Sequence, residues 1–394
     1  MMQLRIIDPI ARGPFHEVFN AALLAMCTKL FDRVEYRCHP TQRACIAQLL
    51  ERHGYGEGLA HVTFRDERVV GREGPVGWIC RYAVAALRSV WRLARSQRGE
   101  AVIFNYNNPL ALPLLNLLNR RLKRRVLIVC HGELELLARH RPRWRAQEWF
   151  GRILRRMFGR VRLDRNLRFC VLGHSILRNL QPYLSEENAP LFFAIDHPAF
   201  FDRTPAPPTP HATLRVGSVG QLTPEKGLGR LLDLSQRISV PLTVVGRTYG
   251  FCGHADRPEV RFVAGAENRF IPRERFEQEA AALDYLLFAY DPDGYRLTAS
   301  GAILDALSVG RPVITLRNDY FDDVLRLPVG YVVDDMQEMA ALIERLAAEY
   351  PAGGDPRFAE NLTRLRHEFT VETVAEQLRK ALADFIPEPN ERLR

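Results

Sequence analysis

No stretch of this 394-residue chain reaches the roughly 18 apolar residues that would span a bilayer. The longest candidate, residues 109–118, is short, contains Asn116 and reads as a buried helix. A basic-then-apolar leader is also missing, since MMQLRIIDPI enters a strand almost at once. The seven cysteines form no CxxC pair and no metal-ligand spacing, and their number is odd. Thiols used in this way are expected in a reducing compartment, which points to the cytoplasm. No helix-turn-helix, zinc-finger or RNA-module signature is present, so nucleic acid is not the expected partner. Core material is not lacking. Hydrophobic residues make up 47% and charged residues 26%, the balance of a folded protein long enough for two domains.

Positive charge is plentiful and unevenly spread. Residues 1–200 hold 32 Lys and Arg against 17 Asp and Glu, a net of +15, while residues 201–394 hold 23 against 29, a net of −6. The excess gathers in RRLKRR at 120–125 and in the stretch from Arg139 to Arg168, with eleven arginines and two acids. Trp144, Trp149, Phe150, Ile153, Leu154, Met157 and Phe158 are threaded through that stretch. A basic amphipathic helix of this kind suits an anionic membrane surface, with Trp144, Trp149 and Phe158 entering the headgroups. The alternative is a solvated face packed on its own domain. The membrane reading makes the protein peripheral, at the inner face of the cell membrane.

Short apolar runs alternate with amphipathic stretches, the rhythm of parallel α/β layers. In the first half the pattern predicts strands at 4–7, 101–106, 126–130 and 169–172, with helices at 18–30, 78–95 and 144–158. A proline-rich break, PAFFDRTPAPPTP at 198–210, fits an interdomain linker. Beyond it, strands fit 214–219, 242–245, 261–263, 285–289 and 312–316, and helices fit 227–238, 273–283, 301–309 and 336–349. This predicts an N-terminal domain over 1–200, a linker at 201–213 and a C-terminal domain over 214–394. The default ligand site of two such domains lies in the cleft, at the C-terminal ends of the strands.

Two segments carry chemistry. In VGQLTPEKGLG, 219–229, Gly220 lets the backbone turn at a strand end and Pro224 stiffens the loop. Lys226 then stands at a helix N-terminus, where unpaired amides and the macrodipole already favour an anion. In YDPDGYRLTASGAILDALSVGRPVIT, 290–315, Ser300 makes an N-cap, Gly301 begins a helix and Gly310 stops it. Ile303, Leu304 and Leu307 form its buried face, while Asp305 lies one turn below Gly301 on the opposite side. Amides at Ser300, Gly301 and Ala302 would take phosphate oxygens, and Asp305 would accept ribose hydroxyls. Two ordinary βα units are the bland alternative.

These segments resemble the retaining glycosyltransferases of the GT-B fold, in the large fourth family of that class. Its C-terminal pattern is a strand, then G-R-x-x-x-x-K-G, and later E-x7-E-A-x-x-x-G-x-P-V. Gly220, Lys226 and Gly227 match the first part; Asp305, Ala306, Gly310, Pro312 and Val313 match the second. The likeness covers residues 214–330 well and the first half faintly. Gln221 stands where the family has its arginine, and Leu297 where it has the first glutamate, with Thr298, Arg296 or Asp293 as replacements. In VLIVCHGEL, 126–134, His131 resembles the family's strand-end histidine beside the donor sugar, and Glu133 is a candidate for acceptor binding or proton transfer. The first loop, IARGPFH at 10–16, resembles the glycine-rich turn near the diphosphate through Gly13, with His16 beside the acceptor.

The resemblance implies two Rossmann-like domains facing a central cleft, with the last helix able to pack back on the first domain. It also implies transfer of a sugar from a nucleoside-diphosphate sugar to a saccharide or lipid-linked acceptor, with retained configuration. Lys226 and the amides of Ser300, Gly301 and Ala302 would stabilise the leaving phosphate, Gly13, Gly220, Gln221 and Asp305 would line the donor, and His131 would orient the reactants. No cofactor and no obligatory metal are expected, because Asp291-Pro292-Asp293 sits late in the chain and reads as a turn. The rival readings are a nucleotide-sugar epimerase and a non-catalytic regulator of polysaccharide assembly.

Overall fold

The computed structural model describes residues 3–70, 74–138, 145–201, 204–205, 212–250, 257–293, 295–350 and 356–385. The first sheet consists of β1 (Gln3–Ile7), β2 (Arg33–Cys38), β3 (Val62–Asp66), β4 (Ala101–Phe104), β5 (Arg125–Val129), β6 (Leu167–Leu172) and β7 (Phe192–Ile195). The second contains β8 (Val216–Val219), β9 (Leu242–Val245), β10 (Val260–Phe262), β11 (Tyr285–Phe288), β12 (Val313–Leu316) and β13 (Gly330–Val333). Their orders are β3-β2-β1-β4-β5-β6-β7 and β10-β9-β8-β11-β12-β13, and every pairing is parallel. Central strands such as β4, β8, β9 and β11 are buried along their whole length, and β4 and β11 read as short unbroken apolar runs for that reason. The strand β2, RVEYRC, carries no such run. Its Glu35 is held by Arg5 and by Arg37, each at 2.8 Å, so charge is paired on a strand that is apolar only at alternate positions.

The chain forms two compact units. One comprises Met1–Asp202, Leu297–Ala299 and Phe369–Arg394; the other comprises Arg203–Arg296 and Ser300–Glu368. In the first, the helix Val371–Ala381 buries Val371, Val374 and Leu378 in the same core as Leu24 and Cys27 of the helix Glu17–Leu30. Each sheet has the doubly wound order, in which the direction of growth reverses once, between β1 and β4 and between β8 and β11. Loops leaving adjacent strand ends diverge there, and ligands of such folds sit in the opening.

Two sequence expectations change here. The helix Arg145–Gly159 buries Phe150, Leu154, Met157 and Phe158, and the Phe158 ring packs edge-on against Phe192 at 5.0 Å and Phe169 at 5.6 Å. Phe158 is therefore core and does not enter lipid headgroups; periodicity reports an apolar face without reporting what covers it. Trp149 is exposed, and Trp144 lies outside the described residues. Residues 109–118 were expected to be buried throughout, yet the helix Ala111–Leu122 turns Leu114 and Leu117 to solvent and buries Asn116 and Asn119.

Candidate functional site

In the second unit, the loops after β8 and β11 meet at the reversal point. Gly227 has φ 77°, and a Cβ there would lie 1.8 Å from the Ala289 carbonyl oxygen, so only glycine allows the loop to close on the end of β11. The helix that follows, Leu228–Leu234, is one residue later and shorter than the sequence pattern suggests. Gly220 lies against Ala302, with only 3.1 Å between its ideal Cβ position and the Ala302 methyl. The two phosphate-binding candidates are thus brought into contact by small residues.

Lys226 is half-buried, with its ammonium 5.5 Å from the centre of the Tyr290 ring and 6.0 Å from that of Tyr295. Burial works against its charge, but the Tyr290 and Tyr295 hydroxyls and the Asp305 carboxylate outweigh burial and push the pKa above the usual lysine value. The group is cationic at neutral pH. Ser300 occupies the N-cap position of the helix Gly301–Val309, but its hydroxyl does not accept from the helix amides as the sequence reading expected. It pairs instead with the buried Tyr290 hydroxyl at 2.9 Å. The first-turn amides, at Gly301 and Ala302 among others, therefore lack a side-chain cap and keep their capacity for an anion.

Asp305, one turn into that helix, is held by the Arg273 guanidinium at 2.8 Å, and Arg273 also meets Glu277 at 2.7 Å. The sequence reading gave this carboxylate to ribose hydroxyls and named no protein partner; an arginine from the start of the helix Arg273–Ala281 orients it. Arg273 belongs to no motif, and no spacing in the sequence links it to Asp305. Gln221 is exposed. Next to it stands another residue the motifs did not reveal. Val219 pairs with Val245 and Leu222 with Thr248, so the register sets Arg247 directly beside Gln221. The bonds Gly220 N to Val245 O and Leu222 N to Arg247 O, both 2.9 Å, hold that alignment past the strand ends. The Arg247 Nε is buried without a hydrogen-bond partner among the described residues. At Asp291-Pro292-Asp293, the Asp291 carboxylate accepts the Asp293 amide at 3.1 Å, as in a turn begun by Asp.

The first unit has its own reversal point, and it is polar. Asp8, after β1, accepts the amides of Ile10 and Ala11 and the side-chain amide of Asn20. His131, after β5, is buried; its ring lies 4.8 Å from that of His16, 4.7 Å from Phe19 and 6.2 Å from Tyr106. Burial, then the neighbouring His16 and His197, push its pKa well below the ordinary histidine value, so the ring is neutral. Burial likewise lowers His197 to about 4. Glu133 accepts the His131 amide through Oε2 at 2.9 Å, while Oε1 is buried without a hydrogen-bond partner among the described residues. Burial raises its pKa to about 7. His16 and Gly13 both adopt positive φ in the loop after β1, and the Gly13 amide donates to the Thr41 hydroxyl at 3.0 Å. Leu297, at the place of the family's first glutamate, is buried, and its amide donates to Glu135 at 2.8 Å. Thr298 donates to the same carboxylate and Arg296 pairs with Asp319, so two of the three candidate replacements are already engaged.

No family model and no curated protein matches the chain. Solved structures do. The sucrose-phosphate synthase of Thermosynechococcus elongatus superposes with a TM-score of 0.65 at 16% identity, over 98% of this chain and 99% of that one. HepE of Anabaena in complex with UDP gives 0.61 at 15%, over 98% and 100%. The lipopolysaccharide outer core galactosyltransferase WaaB gives 0.62 at 12%, over 98% and 100%. Likeness at this level of identity speaks for the fold. Two parallel doubly wound sheets, matched end to end by these chains, make this the GT-B fold of two Rossmann-like α/β domains.

Proposed function

We propose that the protein is a glycosyltransferase that moves a sugar from a nucleoside-diphosphate sugar to a hydroxyl of a lipid-linked saccharide, with retained configuration, in cell-surface polysaccharide synthesis. The observation that supports this most is the meeting, in one unit, of the Lys226 ammonium, an uncapped nine-residue helix start and an oriented carboxylate, Asp305. A cation and converging amides suit a diphosphate, and a carboxylate one turn away suits ribose hydroxyls. The HepE neighbour is described in complex with UDP and glucose, a nucleotide and a sugar of the kind this reading requires. As the glycosidic bond breaks, charge develops on the distal phosphate, and Lys226 with the amides of Gly301 and Ala302 stabilises it. The departing phosphate takes the acceptor's proton. In the first unit, neutral His131 positions the acceptor, with Glu133 and His16 beside it. The protein works at the cytoplasmic face of the membrane.

Arg247 supplies the cation that Gln221 lacks. Adjacent parallel strands run about 4.8 Å apart with register partners on one face, so a long side chain from 247 covers the space an arginine at 221 would occupy. Arg247→Gln is expected to weaken UDP binding about 10-fold, the low end for a charge-assisted contact, and adding Gln221→Arg should restore most of it. Titration calorimetry of the single and double variants tests this. No loss in Arg247→Gln, or a loss that Gln221→Arg leaves unrepaired, would refute the exchange.

A further inference from the structure

Two neighbouring helices of the first unit carry large apolar residues on their outer faces as well as in the core. The helix Gly74–Ala94 exposes Val76 (70%), Ile79 (40%), Leu87 (67%) and Trp91 (44%). These positions recur at helical spacing, and the residues between them on that stripe are uncharged. The same helix turns its charge sideways and inward: Arg88 and Arg92 bind the buried Glu67, and Arg81 donates to the Val70 carbonyl. The adjacent helix Ala111–Leu122 repeats the inversion. Leu114 (44%) and Leu117 (61%) face outward. Asn116 and Asn119 face inward, where Asn116 accepts the Asp164 amide at 2.7 Å and Asn119 donates to the Asp164 carboxylate at 3.2 Å. Buried polar groups with partners fix this orientation, so the outward leucines are not a packing accident.

The helices lead from β3 to β4 and from β4 to β5, so both lie on one face of the sheet and run in one direction. Their C-terminal ends, side by side, carry exposed Arg95, Arg98, Arg120 and Arg121. Neither helix contains an acidic residue. An apolar stripe about 22 Å long from Val76 to Trp91, at 1.5 Å per residue, is thus edged by arginines and free of carboxylates. No described helix is long and apolar enough to cross a membrane, so neither of these two helices is a span.

We infer that the outward face of the helices Gly74–Ala94 and Ala111–Leu122 is the membrane-docking surface, with an anionic lipid bilayer as its occupant. The leucines and Trp91 enter the headgroup boundary and the arginines meet lipid phosphates. A second copy is the poorer occupant, because its own arginines would add like charge to the contact. The site replaces the face first suspected, the helix Arg145–Gly159, which spends Phe150, Leu154, Met157 and Phe158 on the core and leaves Trp149 exposed. Its role rests on the lipid-linked acceptor proposed above.

Flotation with vesicles of phosphatidylglycerol and phosphatidylcholine, against phosphatidylcholine alone, provides the test, with UDP binding measured in parallel. The wild type should float with the anionic vesicles. Leu87→Glu with Trp91→Glu should lower vesicle affinity at least 10-fold and leave UDP binding and the circular dichroism spectrum as they were. Arg152→Glu with Arg156→Glu, on the other helix, should retain most of the flotation. The inference is overturned if the wild type stays unbound at low salt, if the Arg152 and Arg156 variant alone loses flotation, or if Leu87→Glu with Trp91→Glu only splits a dimer. UDP binding that fails in the wild type would count against the donor site and leave the docking surface standing.

Discussion

Lys226→Ala is expected to lower affinity for a nucleoside diphosphate by about 10- to 150-fold, the equivalent of a charge-assisted contact worth roughly 1.5–3 kcal/mol. The ammonium stands over Tyr290, beside the uncapped start of the helix Gly301–Val309, and its pKa is raised by the tyrosine hydroxyls and Asp305. Removing it leaves the helix amides as the remaining phosphate ligands among these groups. The nucleoside monophosphate should lose much less, because Lys226 is assigned to the distal phosphate. Calorimetry with UDP and UMP on both proteins measures the difference. Equal losses for the two ligands would place Lys226 elsewhere.

Glu133→Gln should stabilise the protein at pH 8 and leave it unchanged at pH 4. The carboxyl is buried, with Oε1 unpartnered among the described residues, and its pKa is raised to about 7. A raised acid contributes stability that is fully present below the unfolded value, near 4.5, and lost as pH rises through 7. The loss, roughly 3 kcal/mol at 1.36 kcal/mol per unit, is what the neutral amide avoids. Gln keeps an oxygen to accept the His131 amide, so the local geometry should survive. His197 acts in the opposite sense: with its pKa lowered to about 4, its contribution is present above the ordinary histidine value and lost as pH falls toward 4. Urea melts of wild type and variant between pH 4 and pH 8.5 check both limbs. A variant no more stable than the wild type at pH 8 would mean that Glu133 is not buried as a neutral acid.

The sequence made the α/β rhythm visible because central strands such as β4 and β11 are buried along their whole length and leave unbroken apolar runs. It concealed β2, whose Glu35 is neutralised by Arg5 of β1 as well as by its near neighbour Arg37, and the short edge strand β13, GYVV. Lys226, Gly227, Ser300 and Asp305 were legible because a strand end and a helix start leave local signals. What those groups touch was not. The Ser300 hydroxyl turns to Tyr290 and Asp305 turns to Arg273, and neither partner is implied by spacing. Arg247 becomes a neighbour of Gln221 only through the pairing of β8 with β9. The outward leucines at 114 and 117 were misread for a related reason. A ten-residue apolar run looks buried until Asp164 is seen to hold Asn116, between them, and Asn119, just beyond.

The central claim is that the second unit holds a nucleoside diphosphate. A thermal melt of the wild type with UDP, UMP and uridine tests it most directly. At about 100 times its dissociation constant a ligand adds about 2.7 kcal/mol, which for a domain of this size is a rise of about 5 to 10 °C. UDP should produce that rise, UMP and uridine progressively less, and Lys226→Ala should remove most of the difference between UDP and UMP. A melt that no nucleoside diphosphate moves, whatever its base, would contradict the account.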